Sequence, residues 1–421
     1  MKKTTDEHGA PLRLALAFTV VMALIWLAVG CAHAAESGTR PNVLLLICDD
    51  CGYGDVTLAN TPSLTDLAAE SARFTDGYAN SLCSPTRAAL YTGRYSERSR
   101  IYSALAWNST DGMPLAEVTL AEQLKAVGYR TGLVGKWHLG HIGAAGRPLQ
   151  QGYDEFFGSL FGAIDPFTHQ MHTSAGLKGV DWWRGDKLIT DDPRYSVYAD
   201  TDESIDFIKR SAGSPWFLTV AYHAVHAPRI GPDGREDYFG MLRAMDTGIG
   251  QILATLETTG QAENTLVWFI SDNGGYPAGR NGGLKGVKGQ LWEGGIRVQT
   301  YVRWPSRITP TTRGGVVHVV DAMPTVLDIV GVAPAHALDG QSLKGTLLNG
   351  TPVPYRRQFW SQGSNFAVRD GQWKLVRQGG TPWLFNLAVD RNEIRNVAGA
   401  NGARVRSMTQ MINTWRGAVE R

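Results

Sequence analysis

A cysteine, a proline and an arginine stand at the spacing C-x-P-x-R in the segment CSPTRAALYTGRY, as Cys83, Pro85 and Arg87. Proline suits the first turn of a helix because its missing N–H would be unpaired there, so the apolar residues that follow predict a helix. Cys83 and Ser84 then lie at or just before the N-terminal cap, where unpaired backbone N–H groups attract anions and favour a thiolate. The segment therefore predicts either a reactive cysteine at an anion-binding helix end or an ordinary capped helix with a buried cysteine.

Oxygen-bearing side chains end two apolar segments that are typical of buried strands. Asp49 and Asp50 end PNVLLLICDD, and Asp272 and Asn273 follow the apolar residues of NTLVWFISDNGG. Hard oxygen donors of this kind suit Ca²⁺ or Mg²⁺ rather than zinc. Each motif alone is also a common turn former. Together they predict a divalent-cation site at the ends of two strands.

Basic side chains lie in glycine-flanked or proline-flanked loops. A single lysine or histidine in such a loop is usually solvated or structural. Several together would bind a tetrahedral anion, with lysine as a point charge and arginine as a bidentate donor. The candidates are Lys136 and His138 in GYRTGLVGKWHLG, His226 in HAVHAP, Lys288 in GGLKGVKGQ, and Arg87.

The elements that must position these residues alternate between strand-like and helical segments. TPSLTDLAAES predicts a helix capped by Thr61, and FGMLRAMDTGIGQILATLETTG predicts a long amphipathic helix. This alternation predicts an α/β fold with a doubly wound, mostly parallel sheet flanked by helices. Ligands bind outside the carboxyl ends of the strands of such sheets. We therefore expect the polar strand ends near Asp49, Lys136, His226 and Asp272 to form one site.

The pattern changes beyond about residue 350. FAVRDGQWKLVRQ predicts a hairpin turned by Asp370 and Gly371, PWLFNL a further strand, and ARVRSMTQMINTWRGAVE a terminal amphipathic helix. We expect a main α/β domain over residues 41–350. A small antiparallel subdomain with a terminal helix would occupy residues 351–421.

The first 34 residues predict a signal peptide. Positive charge precedes the apolar run LALAFTVVMALIWLAVG, and CAHAAES offers an A-x-A cleavage site ending at Ala34. An uncleaved membrane anchor and a lipoprotein at Cys31 are the alternatives. The sequence thus predicts export to the periplasm or the medium, with no stable membrane contact after cleavage.

The composition of the chain argues against nucleic acid as a partner and against a fold held by disulfides. The chain has 421 residues, a formal net charge of +2 and no long run of one charge, so nothing in it indicates nucleic acid. After cleavage Cys48, Cys51 and Cys83 remain, too few for a disulfide framework. A Cys48–Cys51 bridge would strain the turn that carries Asp49 and Asp50, so two free buried thiols are favoured.

The C-x-P-x-R segment resembles the signature of the type I, formylglycine-dependent sulfatases of the alkaline phosphatase superfamily. The resemblance implies a sulfuric ester hydrolase, similar to arylsulfatases, that acts on aryl sulfates or on sulfated sugars and glycans. It also implies a maturation enzyme that oxidises Cys83 to formylglycine (3-oxoalanine). Further segments follow the family's order over about residues 41 to 398: PNVLLLICDDCGYGD, GYRTGLVGKWHLG, QGYDEFFG, HAVHAP, FISDNGG, GGLKGVKGQLWEGGIRV and AVRDGQWKLVRQ.

The resemblance also implies roles for matching positions. A hydroxyl of the aldehyde hydrate attacks sulfur and expels the alcohol, while Lys136 and Lys288 neutralise the sulfate oxygens. His226 assists the leaving oxygen together with Lys288, and His138 takes the proton whose loss ejects sulfate. Arg87 braces the formylglycine and its helix. Ca²⁺, favoured over Mg²⁺, would be bound by Asp49, Asp50, Asp272, Asn273 and the modified Cys83.

Substrate identity is where the sequence is least informative. The insertion after GSLFGAIDP carries His169 and His172 as candidate substrate-binding residues, with Trp182 and Trp183 placed to stack on a sugar or to pack in the core. Ser159 is offset from a serine of some family members, so that role is not assigned to it. The alternative functions are a phosphodiester or phosphonate monoester hydrolase using the same site, and a non-catalytic anion or glycan binder.

Overall fold

The computed structural model describes residues 40–57, 59–143, 146–276 and 281–420. The predicted signal peptide, residues 1–34, lies outside the described residues. Among the helices that are described, none combines the length and the apolar character that a membrane crossing requires.

Strands and helices alternate through most of the chain. The strands are β1 (Asn42–Cys48), β2 (Ala72–Tyr78), β3 (Arg130–Lys136), β4 (Glu155–Ser159), β5 (Gln170–Thr173), β6 (Gly176–Val180), β7 (Trp183–Arg184), β8 (Lys187–Leu188), β9 (Trp216–Ala221), β10 (Thr265–Ser271), β11 (Thr300–Arg303), β12 (Thr311–His318), β13 (Arg357–Gln362), β14 (Asn365–Asp370), β15 (Trp373–Gln378) and β16 (Thr381–Asn386). The helices are α1 (Pro62–Ala69), α2 (Cys83–Thr92), α3 (Leu120–Ala126), α4 (Ser196–Arg210), α5 (Tyr238–Thr258), α6 (Glu293–Ile296), α7 (Ala322–Val330), α8 (Lys344–Asn349) and α9 (Gly402–Val419).

The main sheet has the order β12-β2-β11-β10-β1-β9-β3-β4-β7-β8. Its centre, from β10 through β1, β9 and β3 to β4, is parallel, whereas β11 runs antiparallel to β10 and β2. Every residue of β1 is buried, because helices cover both faces of a parallel sheet, and this explains its unbroken apolar sequence. The predicted doubly wound, mostly parallel sheet is confirmed.

Two hydrophobic cores lie on the two faces of this sheet. Val43, Leu45 and Ile47 of β1 enter one core, whereas Leu44 and Leu46 enter the other, as the two-residue period of a strand requires. The first core includes residues of α2, α3 and α7, and the second includes residues of α1, α4 and α5. Helices on both faces therefore hold the strand ends in fixed positions.

The C-terminal strands β13 to β16 form a separate antiparallel sheet against which α9 packs. Asp370 pairs with Trp373, so the hairpin turns at Gly371 and Gln372, one residue later than predicted. Gly371 thus takes the first position of the two-residue turn. Its φ of 60° lies in the left-handed region that this position requires and that glycine favours. The Nε1 of Trp360 donates to the carbonyl of Ala79, so this sheet packs on the main one. The division into domains at residue 350 stays a prediction.

The predicted start of α1 differs from the structure in detail. Thr61 occupies the N-cap position of α1, but its hydroxyl donates to the carbonyl of Thr57 instead of accepting from the helix. The carboxylate of Asp246, on α5, accepts from the backbone N–H groups of Ser63 and Leu64 at 3.0 and 2.8 Å. A distant helix thus satisfies the unpaired donors of α1, a contact that local sequence cannot reveal.

Candidate active site

Polar residues from four neighbouring strands meet at one edge of the main sheet. The carboxyl ends of β10, β1, β9 and β3 lie side by side, so the predicted convergence of strand ends is confirmed. The backbone N–H of Asp50 donates to Asp272 Oδ1 at 3.2 Å, and the amide of Asn273 donates to Asp50 Oδ1 at 2.8 Å. Lys136 is the last residue of β3, and its ammonium contacts Asp49 Oδ2.

Cys83 opens the first turn of α2 instead of preceding its cap, which is Leu82. Its Sγ lies 3.2 Å from Nδ1 of His138, and Nε2 of His138 lies 3.0 Å from the carbonyl of Leu105. Because a carbonyl only accepts, Nε2 carries the proton and Nδ1 accepts from the group at position 83. Burial lowers the pKa of His138 well below its ordinary value, with the charge of Lys136 adding to the effect, so the imidazole is neutral.

The thiol of Cys83 is protonated in this environment. Burial raises its pKa, and this outweighs the opposing charges of Lys136 and Lys288. The helix N-terminus therefore does not yield the thiolate that the sequence suggested. Cys48, Cys51 and Cys83 are all free and buried, which confirms the two free thiols beside the acidic pair.

Arg87 is fully buried and joins α2 to two strand ends. Its Nη1 donates to the carbonyl of Lys136 at 2.7 Å. Its Nε and Nη2 donate to Asp272 Oδ2 at 3.3 and 3.0 Å, and Nη2 lies 3.7 Å from Asp49 Oδ2. The planar guanidinium can make these bonds at once, whereas a lysine could not. Arg87 thereby fixes the helix that carries Cys83.

Lys288 and His226 both lie close to the carboxylate of Asp50. The Nζ of Lys288 lies 2.6 Å from Asp50 Oδ1, and Nε2 of His226 lies 4.0 Å from Asp50 Oδ2. Burial alone would raise the pKa of Asp50, but the charge of Lys288 and the hydrogen bonds from Lys288 and Asn273 hold it well below its usual range. Burial and the charge of Lys288 lower the pKa of His226 to about 3, so this imidazole is neutral as well. Its Nδ1 donates to the carbonyl of Ala227 at 2.7 Å.

The oxygen-bearing residues fit a divalent cation. Asp49 Oδ1 and Asn273 Oδ1 are buried and have no hydrogen-bond partner, a costly arrangement unless a ligand completes it. Burial and the nearby Asp49 raise the pKa of Asp272 to about 6, a sign of crowded carboxylates. Asp49, Asp50 and His226 place ligand atoms within 4.8 Å of one another. The oxygen donors suit Ca²⁺ or Mg²⁺.

A cavity of about 490 Å³ opens onto these groups. His172 lines it, whereas His169 stacks on Trp182 at 4.3 Å between ring centroids, in the buried core. Most residues at the mouth of this cavity, which we call its outer wall, were not predicted from the sequence. They lie on loops that are distant from one another in the chain, and no local sequence pattern marks them. The cavity is lined by Cys83, Asp50, His138, His226 and Lys288 and, further out, by Leu105, Trp107, Phe161, His172, Arg229 and Tyr276.

Trp183, considered for sugar stacking, and Ser159, to which no role was assigned, are not among the residues that line this cavity. Trp183 packs against the guanidinium of Arg147 at 4.5 Å. The hydroxyl of Ser159 lies 2.6 Å from Nε2 of His223, in a buried polar pair. A groove of about 770 Å³ between β4 and α4 is larger than the cavity above, but it shares no residue with the polar strand ends.

Comparison with known proteins identifies the family. The family model described as Sulfatase matches residues 41–332. The chain is 33% identical to arylsulfatase J of Mus musculus, over 84% of this chain and 67% of that protein. It is 34% identical to N-acetylgalactosamine-6-sulfatase of Homo sapiens, over 82% of this chain and 75% of that protein. The crystal structure of Ps i-CgsB in complex with k-i-k-neocarrahexaose is similar with a TM-score of 0.81 and 28% identity, covering 90% of this chain and 93% of that one. The chain therefore belongs to the sulfatase family, within the alkaline phosphatase superfamily, and is a sulfuric ester hydrolase of sulfated sugars or aryl sulfates.

Proposed function

We propose that this sulfatase hydrolyses its ester with a formylglycine that a maturation enzyme makes from Cys83. The observation that carries the proposal is the position of Cys83. Its side chain lies at the floor of the cavity, against a neutral His138 and beside the acidic strand ends. The buried, protonated thiol is a poor nucleophile in itself, which favours a precursor role over direct attack.

We further propose that Asp49, Asp50, Asp272 and Asn273 hold Ca²⁺ in preference to Mg²⁺. Their unpaired buried oxygens support this assignment. When bound, the cation supplies Lewis-acid polarisation of the sulfate and favours ionisation of the aldehyde hydrate. Arg87 holds the Asp272 carboxylate and the backbone after β3 in place, so it positions groups for the reaction without meeting the substrate.

The remaining residues supply charge and move protons. We propose that Lys288, which lines the cavity, and Lys136, which is buried against Asp49, supply two positive charges that stabilise the oxygens of the ester sulfate more strongly than water would. His138 accepts a proton at Nδ1, because its Nε2–H is held by the Leu105 carbonyl. His226 is neutral and oriented through its Nδ1, so the positive charge near the leaving oxygen comes from Lys288.

The first experiment combines a peptide mass map with turnover. The chain is produced with and without a formylglycine-generating enzyme, and the peptide containing Cys83 is weighed. We expect the aldehyde mass only in the first sample, and hydrolysis of 4-nitrophenyl sulfate only there. Chelation should abolish this activity, and added Ca²⁺ should restore it. A Cys83→Ala variant is the matched inactive control. Fully converted, calcium-loaded protein that cleaves no aryl or sugar sulfate would contradict the proposal, as would full activity with an intact thiol.

Export forms a separate part of the proposal. The A-x-A site ending at Ala34 supports cleavage of a signal peptide and release to the periplasm or the medium. Amino-terminal sequencing of the mature protein tests this: a mature chain starting at Ala35 is expected. A lipid-modified Cys31 at the amino terminus would show a lipoprotein instead.

A further inference from the structure

Arg229 lines the cavity three residues after His226, and its guanidinium has unused donors. Its Nε and Nη2 are buried without a hydrogen-bond partner, and no carboxylate of the described residues lies within ion-pair distance of it. Other arginines of this chain differ: Arg184 and Arg194 each bind carboxylates through two or more nitrogens. Unpaired buried donors are costly, so a guanidinium held in this way is prepared for an anion that arrives from outside.

Neighbouring rings hold the Arg229 side chain in place. Its guanidinium carbon lies 4.9 Å from the ring centroid of Tyr276 and 6.0 Å from that of Tyr238. The hydroxyl of Tyr238 donates to Asp55 Oδ2, so that ring is itself fixed. Attraction between the cation and these two rings favours this position of the guanidinium without using its N–H groups. The donors of Arg229 therefore remain available while the side chain is ordered.

The cavity around Arg229 carries an excess of positive charge. Asp50 supplies the one carboxylate among the described lining residues, and Lys288 already pairs with it at 2.6 Å. The outer wall also carries apolar and aromatic side chains, Leu105, Trp107 and Phe161, beside the uncharged polar residues Thr173 and Ser174. Aromatic and apolar walls suit the faces of a sugar ring, and an uncompensated guanidinium suits an anionic substituent on it.

We propose that Arg229 binds a second anionic group of the substrate, a carboxylate or a further sulfate, while the ester sulfate is held at position 83. This proposal rests on the proposed function, because it assumes that the reacting sulfate binds at position 83. Lys136 and Lys288 already serve that sulfate, so Arg229 is available for a group elsewhere on the same sugar or on an adjoining one. Both anions accept two parallel bonds from the guanidinium fork. Arg229 then selects sulfated sugars with two negative charges over those with one.

Binding to a Cys83→Ala background tests this without turnover. Calorimetry compares matched pairs of sulfated mono- and disaccharides that differ only by a second sulfate or by a uronic acid carboxylate. We expect at least one pair in which the dianionic member binds about 10- to 100-fold more tightly, as a charged hydrogen-bonded pair provides. Arg229→Met should remove this preference, and Arg229→Lys should retain part of it. If the preference appears only in pairs that differ by a uronic acid, Arg229 binds a carboxylate. If it appears only in pairs that differ by a second sulfate, Arg229 binds a sulfate.

Two controls make the result decisive. Arg235→Met removes an exposed arginine of the same loop and should leave every dissociation constant unchanged. Circular dichroism of each variant verifies folding. If Arg229→Met does not fold, the binding comparison is made with Arg229→Lys, in which the preference should be weaker than in the wild type. The proposal is refuted if no dianionic sugar binds better than its monosulfated partner, or if the preference survives in Arg229→Met. Aryl sulfate turnover by converted wild-type protein is measured separately, so failure of the formylglycine proposal is recognised independently of Arg229.

Discussion

Lys374 is a buried cation that joins the C-terminal sheet to the main domain, and its removal tests how the two are held together. Its Nζ lies 2.8 Å from Glu293 Oε1 and 2.9 Å from Glu393 Oε1, and none of the three side chains is exposed. Burial raises the pKa of Glu393, and although burial acts on Glu293 as well, Lys374 and Arg297 hold its pKa below the usual range. Without Lys374, the buried carboxylates of Glu293 and Glu393 would lose the cation that they share, and Arg297 would pair with Glu293 but not with Glu393.

Lys374→Met should therefore lower the free energy of unfolding by about 3–5 kcal/mol, the cost of leaving a buried ion pair without one partner. Methionine has a similar volume, so cavity formation contributes little. The assay is urea denaturation followed by tryptophan fluorescence, or the thermal midpoint at a fixed scan rate if unfolding is irreversible. The backbone of α6, which begins at Glu293, also contacts Gly274 through Gly295, so activity should fall at a lower temperature than in the wild type.

Two further variants refine the interpretation. In Lys374→Met/Glu393→Gln the second carboxylate becomes neutral, so part of the lost stability should return. Lys344→Met removes an exposed lysine paired with Asp328 and should cost less than about 1 kcal/mol. An effect of Lys374→Met as small as that of Lys344→Met, or a double variant no more stable than the single one, would refute the reasoning.

Three other substitutions give clear expectations. Burial raises the pKa of Asp200 well above its ordinary value, so the folded wild type binds a proton that the unfolded chain loses above about pH 4, and its stability falls as pH rises. Asp200→Asn should gain stability over the wild type from pH 5 to pH 8 in urea titrations; a constant difference would contradict this. Lys288→Ala should lower kcat for 4-nitrophenyl sulfate by about 10²–10³, and a change in KM alone would disprove its proposed role. Gly135→Ala should lower the thermal midpoint sharply, because φ is +98° and a Cβ would lie 2.1 Å from the Ala221 carbonyl oxygen, whereas Gly179→Ala, in open space, should not.

The parallel strands and the residues at their ends were predictable from the sequence for a physical reason. A strand buried on both faces needs an unbroken apolar run, as in β1 and β10, and such a run is visible without knowledge of the fold. Because these strands are parallel, their carboxyl ends all lie at one edge, which placed Asp49, Lys136 and Asp272 together before any contact was known.

Protonation states were less predictable, because they depend on burial. A helix N-terminus should lower the pKa of Cys83, yet complete burial raises it. The same holds for His138, whose neutral state follows from its enclosure by groups far apart in the sequence. Sequence spacing reports which groups meet but not how much water remains around them.

Arg229 shows where sequence reasoning ends and structure becomes necessary. It directly follows HAVHAP, yet an arginine after a proline is unremarkable in itself. Its significance depends on two rings from distant segments, Tyr238 and Tyr276, and on the absence of a carboxylate partner among the described residues. Asp49, Lys136 and Asp272, which we propose to act at the ester sulfate, lie at strand ends that the fold fixes. Groups that distinguish one sulfated sugar from another sit on loops, whose positions only tertiary contacts determine, so substrate choice in this chain is best sought at Arg229 and the wall around it.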